Sequence, residues 1–541
     1  MGLHRDDKEF RYPGISYLDY KQIDMDRVLT GFLPRLWWRG SPSVLVGSRG
    51  DLSIDTFVES FLEHPEQFRD FDPDVTYRWV ETHLLDLVNR GRPTQAVAGL
   101  RPLHGFTYRF RVSRHSRPYG ADEQLYWMIY QASGTLGTRT LGHLHEFFFK
   151  GVDPRTASPD DAGDEIDVET QALISLAQVA KGATDRAAPG QPRLYPPLDQ
   201  AACDRLAEDV MRLLYHQVVI PRSVLVDHLK ILFAFHLALY HLRAMKSLPA
   251  RLSRIIGDAT PGAIDDRGGL FVDVAGVPGT ACARLAERSA RRWYGRIPAF
   301  VQATFTVKKL DDFANHLRKQ GKLRRLASSR DGVLSVDQLL SLLGPSYRTE
   351  RNGFAEFRKS RVLATLEGPD RKLDPETADL AALGLDPFTT YIELVTAQRV
   401  AFHRKYLTEC LDALLLKNRP GALVAQPRGA ERRFVLDSRL VEVLLQLALL
   451  RPDKRTGDWR TVPLRVDEFL KELKDRYGLY IDEFPPGDDL GHRGFADEAA
   501  LRANRSAFVG RLREIGFYTD LSDAYITQNI LPRYRLGAGE P

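Results

Sequence analysis

Few residues in this 541-residue chain have the types and spacing that chemistry requires. The most ligand-like set is His143, His145 and Glu146, in GHLHEFFFK (142–150). Two histidines at i and i+2 can share one side of a strand, and a nearby carboxylate can complete a metal set. No third His or Cys follows at a recognisable spacing, and the FFF run favours packing and hydrogen bonding over ligation. A second set is acidic: Asp265, Asp266 and Asp273, the last on the strand-like segment GGLFVDVAGVPG (268–279). Separated acids can hold a divalent ion for phosphodiester cleavage. The E-x-K partner of a metal-dependent nuclease strand is missing, and so is the lysine of a phosphate-binding loop. His228, His236 and His241 lie eight and five residues apart on one apolar segment, a poor spacing for joint ligation, and read as satisfied core or edge histidines. Cys203, Cys282 and Cys410 lie far apart with no CxxC, which points to a reducing compartment rather than a disulfide framework or cysteine-based zinc site. No cofactor motif is complete, so neither a catalytic residue nor a cofactor is assigned.

Charge is more informative. Between Arg284 and Arg325 stand twelve Lys/Arg against three acids, Glu287, Asp311 and Asp312. That local excess of +9 sits in a chain whose net charge is +5, so the remainder sums to −4. Clustered cations attract phosphate and gain from released counterions. Trp293 and Tyr294 among the arginines suit phosphate contact combined with stacking. The same pattern also describes a packed helix with a solvated or acid-paired polar face.

The elements that must position these residues give a mainly α protein with α+β parts and several domains. Residues 1–155 read as a mixed α/β domain. Ile54–Leu62 and Val75–Val88 look helical, Phe106–Val112 alternates like a half-buried strand, and Gln124–Gln131 has a similar β-rich composition. An acidic loop and an Ala/Gly/Pro-rich stretch mark the first boundary. Residues 165–420 form a mainly helical, basic middle domain. In its helix over about 223–246 only twelve residues separate Lys230 from Arg243, well under the roughly twenty needed to span a bilayer, so this is a core helix and no membrane partner is expected. Asn418-Arg419-Pro420-Gly421 opens the second boundary.

Residues 430–541 carry three helical patterns and a β-prone tail. Asp437 or Ser438 caps the first. Val466, Phe469, Leu470, Leu473 and Tyr477 give the second an apolar stripe that ends at Gly478. The third runs from about Glu498 to Ile515, with Arg502, Arg505, Arg511 and Arg513 at polar positions, and Gly516 ends it. Phe517–Thr519 and Ala524–Thr527 then read as short strands. This order is that of a winged helix, whose third helix commonly enters a DNA groove. The long connection from Leu479 to Phe495 counts against it.

Three stretches carry a family resemblance: YLDYKQIDMDRVLTGFLPRLWW (17–38), RVDEFLKELKDRYGLYID (465–482) and GFYTDLSDAYITQNILPRY (516–534). They resemble the seventh protein of methylation-associated defence systems, a bacterial anti-phage family. The resemblance implies a cytoplasmic component of a multi-gene defence operon with the other operon proteins as partners, and it brings no catalytic residue. Together with the charge, it leads to the expectation of a non-catalytic nucleic-acid-binding or assembly subunit. The binding residues expected are Arg288, Arg291, Arg292, Arg296, Lys308, Lys309, Lys322, Arg324 and Arg325, with Arg502, Arg505 and Arg511 as a second group. DNA is the expected ligand. The alternatives are a metal-dependent nuclease using Asp265, Asp266 and Asp273, or a protein-only scaffold.

Overall fold

In the computed structural model, residues 3–46, 52–66, 68–151, 168–179, 184–190, 192–257, 269–323, 332–367, 373–453, 457–486, 495–518 and 529–537 are described. The first long helix, α1 (Met25–Trp37), starts where the Asp24 carboxylate accepts the Asp26 backbone N–H, and it buries Val28, Leu29, Phe32 and Leu33. Against it pack α2 (Ala121–Tyr130) and α3 (Leu136–Phe148). Two expected strands here are helical. Gly105–Phe110 is a 3₁₀ helix, because Thr107 is as buried as Phe106, Tyr108 and Phe110, so their alternation marked no solvent face. The β-rich composition of 124–131 sits in α2, where packing against α1 outweighs local preference and Arg35 of α1 grips Asp122 at 2.7 Å. The helix expected over Val75–Val88 covers Pro73–Trp79, continues as a π turn to Leu84, and becomes the strand Leu85–Val88 paired antiparallel with Ala96–Leu100. Ile54–Leu62 is helical as expected.

The middle of the chain is built on α4 (Gln200–Leu214) and the 35-residue α5 (Arg222–Ile256), which Gly257 ends in a left-handed conformation (φ 91°). By length and composition α5 could cross a membrane, but 83% of its most apolar 18-residue window is buried inside the protein, as a core helix requires. Against it lie α6 (Ala281–Tyr294), α7 (Ile297–Lys319) and α9 (Pro387–Leu415), and α8 (Arg348–Glu367) packs on α9. A Ser335–Gln338 capping box starts the short helix Val336–Ser341 between α7 and α8.

The C-terminal segment continues with α10 (Ser438–Leu449), the hairpin Leu450–Pro452/Trp459–Thr461, the strand Leu464–Arg465 and α11 (Val466–Glu472). A π turn extends α11 to Tyr477, and Gly478 (φ 75°) ends it. Next come the strand Leu479–Tyr480 and α12 (Phe495–Glu514), which closes at Gly516 (φ 75°). The strand Asn529–Ile530 pairs antiparallel with Leu464–Arg465, and Tyr518 forms an antiparallel bridge to Ile530. Ala524–Thr527 lies outside the described residues. The result is mainly α with few short strands.

The core runs across the boundary expected near 420–430. Leu270–Phe271 pairs in parallel with Leu479–Tyr480. Asp209 of α4, fully buried, accepts hydrogen bonds from Tyr477 Oη (2.9 Å) and Arg476 Nε (3.0 Å) and is bonded to His236 Nε2 (2.9 Å). Burial alone would raise its pKa, yet His236 and Arg476 hold it below the usual carboxylate value. His236 is thus a satisfied core histidine. His241 is another, bonded to Ser16 Oγ and the Leu237 carbonyl.

Candidate nucleic-acid interface

Helix α6 begins where the Thr280 hydroxyl accepts the Ala283 N–H (3.2 Å). Its inner face is Leu285, Ala286, Ala290 and Trp293, and the Trp293 indole donates to the Gly269 carbonyl (2.9 Å). The small residues let the strand Arg433–Phe434 and α12 approach closely. With that face fixed, Arg284, Arg288, Arg291 and Arg292 fall within about 100° of arc on the opposite side, and all four are exposed. Arg284 donates to the Gly279 carbonyl (2.7 Å), and Arg291 pairs with Glu431. Arg288 has no hydrogen bond or ion pair among the described residues. Arg296, half-buried, stacks on Trp293 at 4.2 Å.

The second half of the basic run behaves differently, and two expected binding residues are corrected. Lys309 is fully buried: its ammonium donates to the carbonyls of Asp6 and Glu9 (3.3 Å to Glu9) and lies 3.8 Å from Asp312. Burial pushes its pKa down to about 8. Lys308 is nearly buried and bonded to Asp312 at 2.9 Å, with Glu9 at 3.5 Å and Asp311 at 3.8 Å. Burial would lower its pKa, but Asp312 and its acidic neighbours raise it overall. Both lysines hold the N-terminal segment to α7 and have no open face for a polyanion. Lys322 is exposed just past α7, in a cleft with Phe354 and Phe357 of α8. Arg324 and Arg325 lie outside the described residues.

On α12, Arg502 is exposed and makes no ion pair or hydrogen bond among the described residues. Arg505 is engaged by Asp467 and by Asp482 (3.1 Å), and Arg511 by Ser438 Oγ (2.9 Å) and Glu514 (3.4 Å). The two helices that carry the basic groups, far apart in sequence, pack together through their apolar faces. Cys282, Leu285 and Ala286 of α6 pack with Ala500 and Leu501 of α12 in a small separate core, and Cys282 Sγ contacts the Ala500 carbonyl (3.0 Å).

Sequence reasoning missed a groove of about 1010 Å³ beside α6. It is lined by Arg291 and Tyr294, by Arg404 and Lys405 of α9, and by Arg432. Next to it Arg399 stacks at 4.2 Å on Phe402, which remains 42% exposed. The available signal was Arg399, Phe402, Arg404 and Lys405 within seven residues of one helix. Three carboxylates also line this groove, and Arg432 is already bonded to Asp412 (3.0 Å through Nε).

Those residues weighed for metal chemistry that are described do not assemble. Asp273 is fully buried and accepts the Gly276 N–H (3.1 Å), with Arg433 Nε at 3.5 Å. It fastens a turn rather than facing a cleft. Asp265 and Asp266 lie outside the described residues. His143 and His145 are on α3, not a strand. His143 meets Glu146 in an exposed pair at 3.4 Å, while His145 stacks on Trp37. Among the described residues no group of three or more His, Cys, Asp or Glu could hold a metal ion.

The fold and site define a mainly helical protein with an exposed cationic helix face, and the chain is a component of a defence system. Residues 5–534 match the family model for methylation-associated defense system protein MAD7, nearly the whole chain, and the chain belongs to that family. Comparison with curated proteins and with solved structures gives no match.

Proposed function

We propose that this protein is a non-catalytic nucleic-acid-binding and assembly subunit of its anti-phage defence system. It works in the cytoplasm on DNA, together with other proteins of the same operon. The observation that carries this reading is the row Arg284, Arg288, Arg291 and Arg292, exposed on one side of a helix whose other side is fixed in the core. Guanidinium groups so placed contact phosphates without reading bases, so binding is insensitive to sequence and steep in salt. Part of the C-terminal connectivity supports it: α10, the strand Leu464–Arg465, α11, α12 and the strand Asn529–Ile530, which lies between Leu464–Arg465 and Tyr518. We read these as the elements of a winged helix with α12 as its third helix, the hairpin Leu450–Pro452/Trp459–Thr461 and the strand Leu479–Tyr480 being additions to that order.

The test is a salt titration of duplex DNA binding by the protein and by the Arg288→Glu/Arg291→Glu/Arg292→Glu variant. Weaker binding to all sequences and a flatter salt dependence are expected; unchanged binding refutes the patch. A magnesium- or manganese-dependent plasmid cleavage product that Asp273→Ala abolishes would establish the nuclease instead. Copurification with operon partners after nuclease treatment, with no DNA affinity, would establish the scaffold.

A further inference from the structure

A cleft of about 730 Å³ opens between the C-terminal end of α1, α2 and α3, within the size range of small-molecule sites. Its walls are aromatic: Trp37, Tyr126, Trp127, Tyr130 and His145. Trp37 lies parallel to His145 (ring centroids 5.6 Å, 13° between planes) and is backed by Phe106 and Phe149 at 5.6 and 4.9 Å. Trp127 stands edge-on to Tyr126 and Tyr130, at 5.1 and 5.4 Å. The rings are therefore held before any ligand arrives, which lowers the ordering cost of binding. Tyr130 keeps 41% of its surface exposed at the mouth.

The charge pattern selects the ligand. Among the described residues no Asp or Glu lines the cleft, and the one fixed charge on its wall is Arg39. Arg39 is exposed and makes no hydrogen bond or ion pair among the described residues. Burial and the Arg39 charge lower the pKa of His145 against an opposing pull from Glu146, so its imidazole is neutral at pH 7. A cationic ligand would find aromatic faces but no counter-charge, and Arg39 would repel it. A neutral apolar ligand would use the rings but gain nothing from the guanidinium. A flat π-system carrying negative charge uses both features. We infer that this cleft binds a nucleotide, its base against the Trp37 and Tyr130 rings and its phosphate at Arg39. The base comes either from a free mononucleotide or from a strand that turns one base outward.

Two substitutions separate this role from a structural one. Gly142 lines the cleft on α3, and a Cβ there meets nothing within 4 Å, so Gly142→Leu adds bulk at the cleft wall with no clash at its Cβ and suits a helix better than glycine. Arg39 has a left-handed backbone (φ 48°), so Arg39→Gly removes the charge while easing the main chain. The full chain is titrated with AMP, with adenosine and with a ten-nucleotide oligodeoxyadenylate, followed by tryptophan fluorescence. A saturable change with AMP is expected. Gly142→Leu should weaken it at least about tenfold, as loss of a base-stacking platform does. Arg39→Gly should weaken AMP but not adenosine. A response to the oligonucleotide alone, still lost in Gly142→Leu, assigns the base to a strand and also supports the site. No saturable response to AMP or the oligonucleotide, or one that survives Gly142→Leu, overturns it. The α6 charge-reversal variant should bind AMP normally, so this inference and the proposed DNA-binding role fail separately.

Discussion

Helices α6 and α7 follow one another in the chain and share one run of positive charge, yet the fold uses their cations in opposite ways. On α6 the arginines lie opposite Leu285, Ala286 and Trp293, so packing that face turns them outward. On α7 residues 303–307 are all buried, which leaves no polar side for Lys308 and Lys309. Acids and main-chain carbonyls come to them instead: Asp312 from the next turn, Glu9, and the carbonyls of Asp6 and Glu9. An ammonium removed from water must be paired and hydrogen-bonded to be tolerated. Local charge density thus locates cations, while only their surroundings decide whether they bind a ligand or hold the protein together.

The sharpest way to break this contrast is Lys309→Glu. A carboxylate facing two carbonyls and Asp312 should cost roughly 3–5 kcal/mol of stability. The denaturant midpoint should fall, while the protein that remains folded keeps its DNA affinity. Weaker DNA binding at unchanged stability would place Lys309 with the α6 arginines. A second test is pH. With the Lys309 pKa at about 8 in the folded state and about 10.4 unfolded, the unfolded chain holds more protons between these values, so stability rises with pH. The Lys309 contribution should come to about 2 kcal/mol in urea unfolding between pH 7.5 and 10, read as the difference in pH dependence between the protein and Lys309→Met. Burial also pushes the Cys203 and Cys410 thiols up to about 12, so they oppose the trend from about pH 8.5. The buried tyrosines oppose it above about pH 10; the readout is therefore the difference between the protein and Lys309→Met. The third test is on α6: Arg288→Glu/Arg292→Glu should leave stability within about 0.5 kcal/mol. The log–log salt slope of DNA binding should drop by about two, one phosphate contact for each arginine. The smallest effect is expected at Arg505. Arg505→Ala should cost about 0.2–1 kcal/mol in stability and leave DNA binding intact, because Asp467 and Asp482 already hold that guanidinium.

How much was legible follows the range of the forces involved. The stripe Val466–Tyr477 with its stop at Gly478, the arginine-bearing helix closed by Gly516 and the Ser335 cap were all readable, because each depends on neighbours within a few residues. The α6 arginines were readable too, since Leu285 and Trp293 share a face that leaves 284, 288, 291 and 292 opposite. The strand expected at Phe106–Val112 failed because alternation reports a half-buried strand only when one face is wet, and here both sides are covered. His145 belongs to an aromatic cleft because α1 and α3 meet there, which no spacing along the chain could reveal.

The sequence by itself determined where the capped and glycine-terminated helices start and stop, which of them are apolar enough to be core, and how many cations occupy the middle of the chain. The tertiary structure alone decided that Lys309 is buried while Arg288 is exposed, that Leu270–Phe271 pairs with Leu479–Tyr480, and that α6 lies against α12. The reason is physical: periodicity and capping are set by turns of a few residues, whereas burial of a charge depends on which distant backbone and carboxylate oxygens pack around it.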